Sequence, residues 1–182
     1  MLLLDQDRAR WDQLLIRRGL AAIDRATTQA RILGRAAGPY LLQASVAACH
    51  ARARTPEETD WATIVGLYGK LAELTPSPIV ELNRAVALAM LFGPEAGLEV
   101  VDALTAEPAL KTYHLLPSVR GDLLRKLGRL DEARAEFERA RRSRRTNANA
   151  NCCSIAPQRV RAVVQISTLS RVRLGGSPKV RL

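Results

Sequence analysis

Residues 116–140 read LPSVRGDLLRKLGRLDEARAEFERA. Apolar side chains recur at Leu116, Val119, Leu123 and Leu127, and then at Leu130, Ala133, Phe137 and Ala140. Steps of three and four put each set on one stripe of a helix. Gly128, between the two sets, can take backbone angles that turn a chain back on itself. The stretch therefore predicts two antiparallel helices packed stripe to stripe, with small alanines allowing a close approach.

The same period extends outward. Trp61, Ile64, Val65, Tyr68, Leu71 and Ala72 form another stripe, and Trp11 and Trp61 are expected core anchors. Gly38-Pro39, Ser77-Pro78 and Gly93-Pro94 place proline where a helix can begin, since its missing N–H would be unpaired there in any case. Asp60 is positioned to cap the helix that follows it. Thr75-Pro76-Ser77-Pro78 ends one helix and opens the next. Gly38-Pro39-Tyr40 reads as a helix start with a packed tyrosine. These signals predict helices near 7–33 (with Gly19 as a point where the first could break), 39–54, 60–74, 78–92, 94–105, 113–127 and 130–145, and no strand before residue 150. Short connections make neighbours antiparallel, so hairpins should stack.

Leu127-Gly128-Arg129-Leu130-Asp131-Glu132-Ala133, with Phe137 and Ala140, resembles the junction between the two helices of a tetratricopeptide repeat. Gly93-Pro94-Glu95-Ala96-Gly97-Leu98 is a weaker copy close to one period, about 34 residues, upstream. The expected fold class is all-α: a degenerate tetratricopeptide-like antiparallel helical hairpin array with an irregular basic C-terminal tail.

The chain has 182 residues, with 28 Lys+Arg against 18 Asp+Glu and a formal net charge of +10. The whole excess lies in residues 141–182, where Arg141, Arg142, Arg144, Arg145, Arg159, Arg161, Arg171, Arg173, Lys179 and Arg181 stand without one acidic side chain. Upstream the charges balance, so the basic pI describes a tail and does not mark the body as a nucleic-acid binder. The expected division is a helical domain over 1–146 and a basic tail over 147–182. Roughly 140 residues can bury about two-thirds of their unfolded surface and need no staple. Cys49 and the vicinal Cys152–Cys153 form an odd set without metal-ligand spacing, which fits a reducing, cytoplasmic setting. Met1-Leu2-Leu3-Leu4-Asp5 turns acidic too early for a signal peptide, and the Ala85–Phe92 apolar run is far below the ~18 residues of a membrane span.

Four ordered strings carry a family resemblance: Asp7-Arg8-Ala9-Arg10-Trp11-Asp12, residues 38–51 (GPYLLQASVAACHA), Thr59-Asp60-Trp61, and residues 76–87 (PSPIVELNRAVA). With Gly93-Pro94, Ala96-Gly97-Leu98 and residues 113–120 (YHLLPSVR), they resemble the C-terminal tetratricopeptide-like extension of bacterial extracytoplasmic-function RNA polymerase sigma factors. The likeness covers roughly residues 5–145. It implies a transcription context in which the extension supports sigma activity through protein contacts. The segments that grip polymerase and read promoter DNA would lie upstream and are missing here, so the chain looks like the extension alone, from a shortened gene or an internal start. Beyond about Asn147 the likeness stops. Asn147-Ala148-Asn149-Ala150-Asn151 has poor helix formers, and Val160, Ala162, Val164 and Ile166 alternate like a strand. Loss of acids, of period and of family pattern together reads as a disordered or frameshifted C-terminus rather than a basic arm.

Catalysis finds no motif: there is no nucleophile triad spacing, phosphate-cradling loop or HExxH. His50 and His114 are each expected inside a helix. Cys49 and His50 are adjacent and point ~100° apart, so they cannot share an ion, and Cys49 reads as a small core residue. No enzyme, metal or cofactor is expected. Binding is the expected activity, on a face built from the first helix of each hairpin. The candidate contacts are Gln43, Asn83, Arg84, His114 and Arg120, because amides can pair with a peptide backbone and arginine can fork onto a carboxylate. The competing reading has Gln43 and Asn83 satisfying buried backbone and Arg84 pairing with Glu81. The expected partners are RNA polymerase core or sigma segments. The alternatives are a free-standing adaptor for another protein, and weak nonspecific DNA contact through Arg141, Arg142, Arg144 and Arg145.

Overall fold

The computed structural model describes residues 6–150, and of these the side chains of residues 6–144. A 3₁₀ turn at Arg8–Arg10 precedes α1 (Gln13–Ile32), α2 (Pro39–Arg52), α3 (Trp61–Leu74), α4 (Pro78–Phe92) and α5 (Pro94–Leu104). A second 3₁₀ turn at Pro108–Leu110 then leads to α6 (Leu115–Lys126) and α7 (Leu130–Ala150). Among the described residues there is no strand.

The helix starts follow the side chains. Proline occupies the first turn of α2, α4 and α5. Asp60 accepts from the Thr63 amide at 2.9 Å, and Ser77 accepts from Ile79. The stretch expected as one helix from residue 7 is instead two elements, because two aspartates each cap their own turn. Asp7 accepts from the Ala9 amide, and Asp12 from those of Leu14 and Leu15, with Trp11 extended between them. Gly19 lies inside an unbroken α1. The helix ends use glycine where a left-handed residue is required. At Gly128 (φ 77°) the Arg129 amide reaches back to the Leu124 carbonyl and the Gly128 amide to that of Arg125, which together close the end of α6.

Each helix packs on its sequence neighbour, and α4 also touches α6. One core cluster joins Leu42, Val46 and Cys49 of α2 to Trp61, Ile64, Tyr68 and Leu71 of α3 and Ala87 of α4. The other joins Leu82 and Ala85 of α4 to Leu98, Val101 and Leu104 of α5, Leu110 of the second 3₁₀ turn, Leu116, Val119, Leu123 and Leu124 of α6, and Ala133 of α7. The fully buried side chains Ile64, Leu82, Val101, Leu110, Val119 and Leu124 each contribute about 1.5–3 kcal/mol. Helix α4 serves both clusters and so ties the halves into one array of all-α hairpins.

Several expectations need correction. Leu130 is 64% exposed, because it starts α7 ahead of the contact with α6. Tyr40 is 83% exposed and packs on nothing in the core. Trp11 is only half-buried, donating its indole N–H to Gln6 rather than anchoring a cluster. Helix α7 runs past its expected end at 145 and continues to Ala150, since extending a formed helix costs far less than starting one. The strand-like and frameshift readings of the tail fall outside the described residues.

Gly97 marks the closest helix approach. A Cβ there would stand 2.5 Å from the Ala89 Cβ and 2.8 Å from the Ala85 carbonyl oxygen, so α4 and α5 would have to separate. Gly97→Ala is therefore expected to destabilise by about 2 kcal/mol despite alanine's better helix propensity. At Gly19 an added Cβ meets nothing within 4 Å, and Gly19→Ala should stabilise by about 0.5–1 kcal/mol. Urea midpoints of the two variants, moving in opposite directions, check the packing.

Candidate protein-binding face

The five candidate contacts lie on α2, α4 and α6 or at their ends, the first helices of successive hairpins. Their circumstances differ. Gln43 on α2 and Asn83 on α4 are half-buried, and neither side-chain amide hydrogen-bonds to another described residue. Each therefore keeps a donor and an acceptor available for a backbone laid across it. Arg84 donates from Nε to Glu81 at 2.9 Å, one turn back on its own helix. That matches the competing reading for this residue.

Arg120 joins three helices. Its Nε donates to Asp102 of α5 at 2.7 Å and its Nη1 to Glu136 of α7 at 3.0 Å. Burial opposes its charge, but the hydrogen bond and charge of Asp102, with those of Glu136, outweigh that and raise its pKa. Glu136 is buried and also meets Arg139 at 3.3 Å. Arg120 thus braces the array, and a partner carboxylate would have to compete with two internal ones.

His114 is not inside a helix as expected. It stands at the N-cap of α6, its carbonyl accepts from the Ser118 hydroxyl at 2.9 Å, and its ring lies 6.0 Å from that of Tyr113. Arg141, Arg142 and Arg144 are exposed on α7, with Arg142 paired to Glu138 at 3.8 Å. The side chain of Arg145 falls outside the described ones.

A buried polar cluster at the other end of α2 was not foreseen. Arg8, 6% exposed, sends Nη1 to the carbonyls of His50 (3.1 Å), Ala53 (2.9 Å) and Thr55 (2.9 Å), and Nη2 to the Thr59 hydroxyl at 3.2 Å. These include carbonyls that the end of a helix leaves unpaired, where a positive charge is also favoured. Its guanidinium carbon lies 5.4 Å from the centre of the Trp11 ring. The partners are 42 to 51 residues away in sequence, so no local spacing could have signalled them.

Beside this clamp, His50 is 4% exposed, neither ring nitrogen has a hydrogen-bond partner, and the ring meets Trp61 edge-on at 5.3 Å. Burial, reinforced by the Arg8 charge, pushes its pKa down to about 4. Cys49 is buried, and burial raises its thiol pKa, assisted by Asp60, which favours the unreactive thiol. Among the described residues no cluster of three histidines, cysteines or carboxylates could hold a metal ion. No described helix is long and apolar enough to cross a membrane.

This geometry defines a class: an all-α array of hairpins whose polar groups brace the fold or line one set of helices. The chain is 48% identical over 140 residues to an uncharacterized protein of Rhizobium meliloti (strain 1021). That match takes in 77% of the chain but 31% of the relative, so the chain spans about a third of that protein's length. No family model and no solved structure matches.

Proposed function

We propose that the chain is a noncatalytic protein-interaction module, the regulatory extension of an extracytoplasmic-function sigma factor, acting in the cytoplasm on RNA polymerase core or on sigma segments. The observation that carries the binding role is the pair Gln43 and Asn83, half-buried amides without described partners on successive first helices. A polypeptide lying across α2 and α4 would supply the hydrogen bonds they lack. The transcription context rests on the ordered strings between Asp7 and Arg120. That the uncharacterized Rhizobium relative is about three times as long as the matched stretch suits a module that works within a larger polypeptide.

The test is retention of purified RNA polymerase core, and of recombinant sigma segments, on immobilised chain. Asn83→Ala should weaken capture by about tenfold or more, as loss of a binding hydrogen bond does, and should move the melting temperature by only a few degrees. Equal loss of binding and stability would make Asn83 structural. Failure to retain either partner would end the sigma reading. DNA retention that disappears on deletion of residues 141–182 would support the tail instead.

A further inference from the structure

Helix α1 is 20 residues long, yet none of its residues is buried. Ile16, Leu20, Ile23 and Ala30 are half-buried toward α2, while Leu15, Gly19, Ala22, Ala26 and Leu33 stand exposed beside them. These five follow alternating steps of four and three, with Gln29 completing the series, which is the seam spacing of paired helices. Leu15 is 62% exposed and Leu33 54%, and a Cβ at Gly19 would meet nothing within 4 Å. The solvent-facing side of a helix is ordinarily polar. Here that face is apolar.

Charge identifies what would cover it. Arg18 and Arg25 run along one edge of the exposed seam, the edge away from half-buried Ile16, Ile23 and Ala30, and form no ion pair with a described residue, while the helix's one acid, Asp24, already meets Arg52 at 3.5 Å. We infer that the outer face of α1 docks an amphipathic helix with one acidic edge, at a surface separate from the α2–α4–α6 face and independent of the reading given for that face. Two antiparallel copies of α1 would oppose Arg18 and Arg25 to the same two arginines, which disfavours a second copy. Insertion into an anionic membrane calls for bulky apolar groups, whereas Gly19, Ala22 and Ala26 leave the middle of the seam shallow and suited to close helix packing.

The experiment uses the full chain and a fluorescent helical peptide about as long as α1, with leucine and alanine on its seam and glutamate along one flank. Binding is expected by anisotropy, weakening with salt, and falling at least about tenfold for Gly19→Trp and for the double variant R18E/R25E, with melting temperatures nearly unchanged. Asn83→Ala should bind the peptide normally, which separates this surface from the other. Equal binding of a lysine-flanked peptide, no binding at all, or loss on Asn83→Ala without loss on Gly19→Trp would overturn the proposal. So would association with phosphatidylglycerol vesicles or self-association, if abolished by Gly19→Trp while the peptide stays unbound.

Discussion

Replacing Arg8 by methionine is expected to lower stability by about 3–4 kcal/mol, a large effect for one residue outside both apolar clusters. Methionine is unbranched and can fill much of the same channel, but it donates nothing. The carbonyls of His50, Ala53 and Thr55 and the Thr59 hydroxyl would lose their guanidinium partner together. A hydrogen bond to a charged donor contributes about 1.5–3 kcal/mol, and contributions that share one group do not add in full. Arg8→Lys should recover only part of the loss, because a compact ammonium cannot reproduce the planar fork. Urea unfolding measures the size, and hydrogen exchange should locate the opening at the end of α2. A loss below about 1 kcal/mol would mean that water satisfies those carbonyls and that the clamp is incidental.

The second large effect is acid sensitivity centred on His50. Its folded pKa, about 4, lies below the ordinary value of 6.5, because the buried ring near Arg8 resists protonation. The unfolded chain therefore binds the extra proton throughout the interval between those values. Stability from the neutral ring is fully present above pH 6.5, falls as pH drops through that interval, and levels off below about 4. The loss should be about 2 kcal/mol by pH 5 and about 3 kcal/mol over the whole window. His50→Phe keeps the aromatic contact with Trp61 and removes two unpaired ring nitrogens. Its stability should vary much less between pH 6.5 and pH 5. Glu57 and Asp60, whose hydrogen bonds hold their carboxyls below the usual range, lose stability only in more acidic solution. An identical pH dependence in the parent and in His50→Phe would contradict the assignment.

The parts of the molecule legible from sequence were those set by local chemistry. Proline, Ser77 and Asp60 mark helix starts because they act within one turn, and the Trp61–Leu71 stripe is visible because helical period and core face coincide. Tyr40 and Leu130 misled for the opposite reason: both sit at helix starts, where a residue can follow the period and still lie beyond the neighbouring helix. Asp12 hid a break that hydrophobic pattern alone could not reveal, since apolar residues occur on both sides of it.

For the candidate face, residue type and helical period were enough to place Gln43 and Asn83 on α2 and α4. They could not show that Arg120 is already engaged by Asp102 and Glu136, because those carboxylates come from α5 and α7. The same holds for Arg8. A guanidinium and the four oxygens it binds become neighbours only after the first 3₁₀ turn, the end of α2 and the loop before α3 have come together. Long-range polar geometry of this kind has no sequence period to betray it.

The proposed binding face can be tested directly by titrating the isotopically labelled chain with recombinant sigma segments and following its side-chain amide resonances by NMR. Saturable shifts of the Gln43 and Asn83 side-chain amides, together with backbone shifts on α2, α4 and α6, are the expected result. Shifts confined to α3, α5 and α7, or bound complexes that leave both amides unmoved, would contradict it.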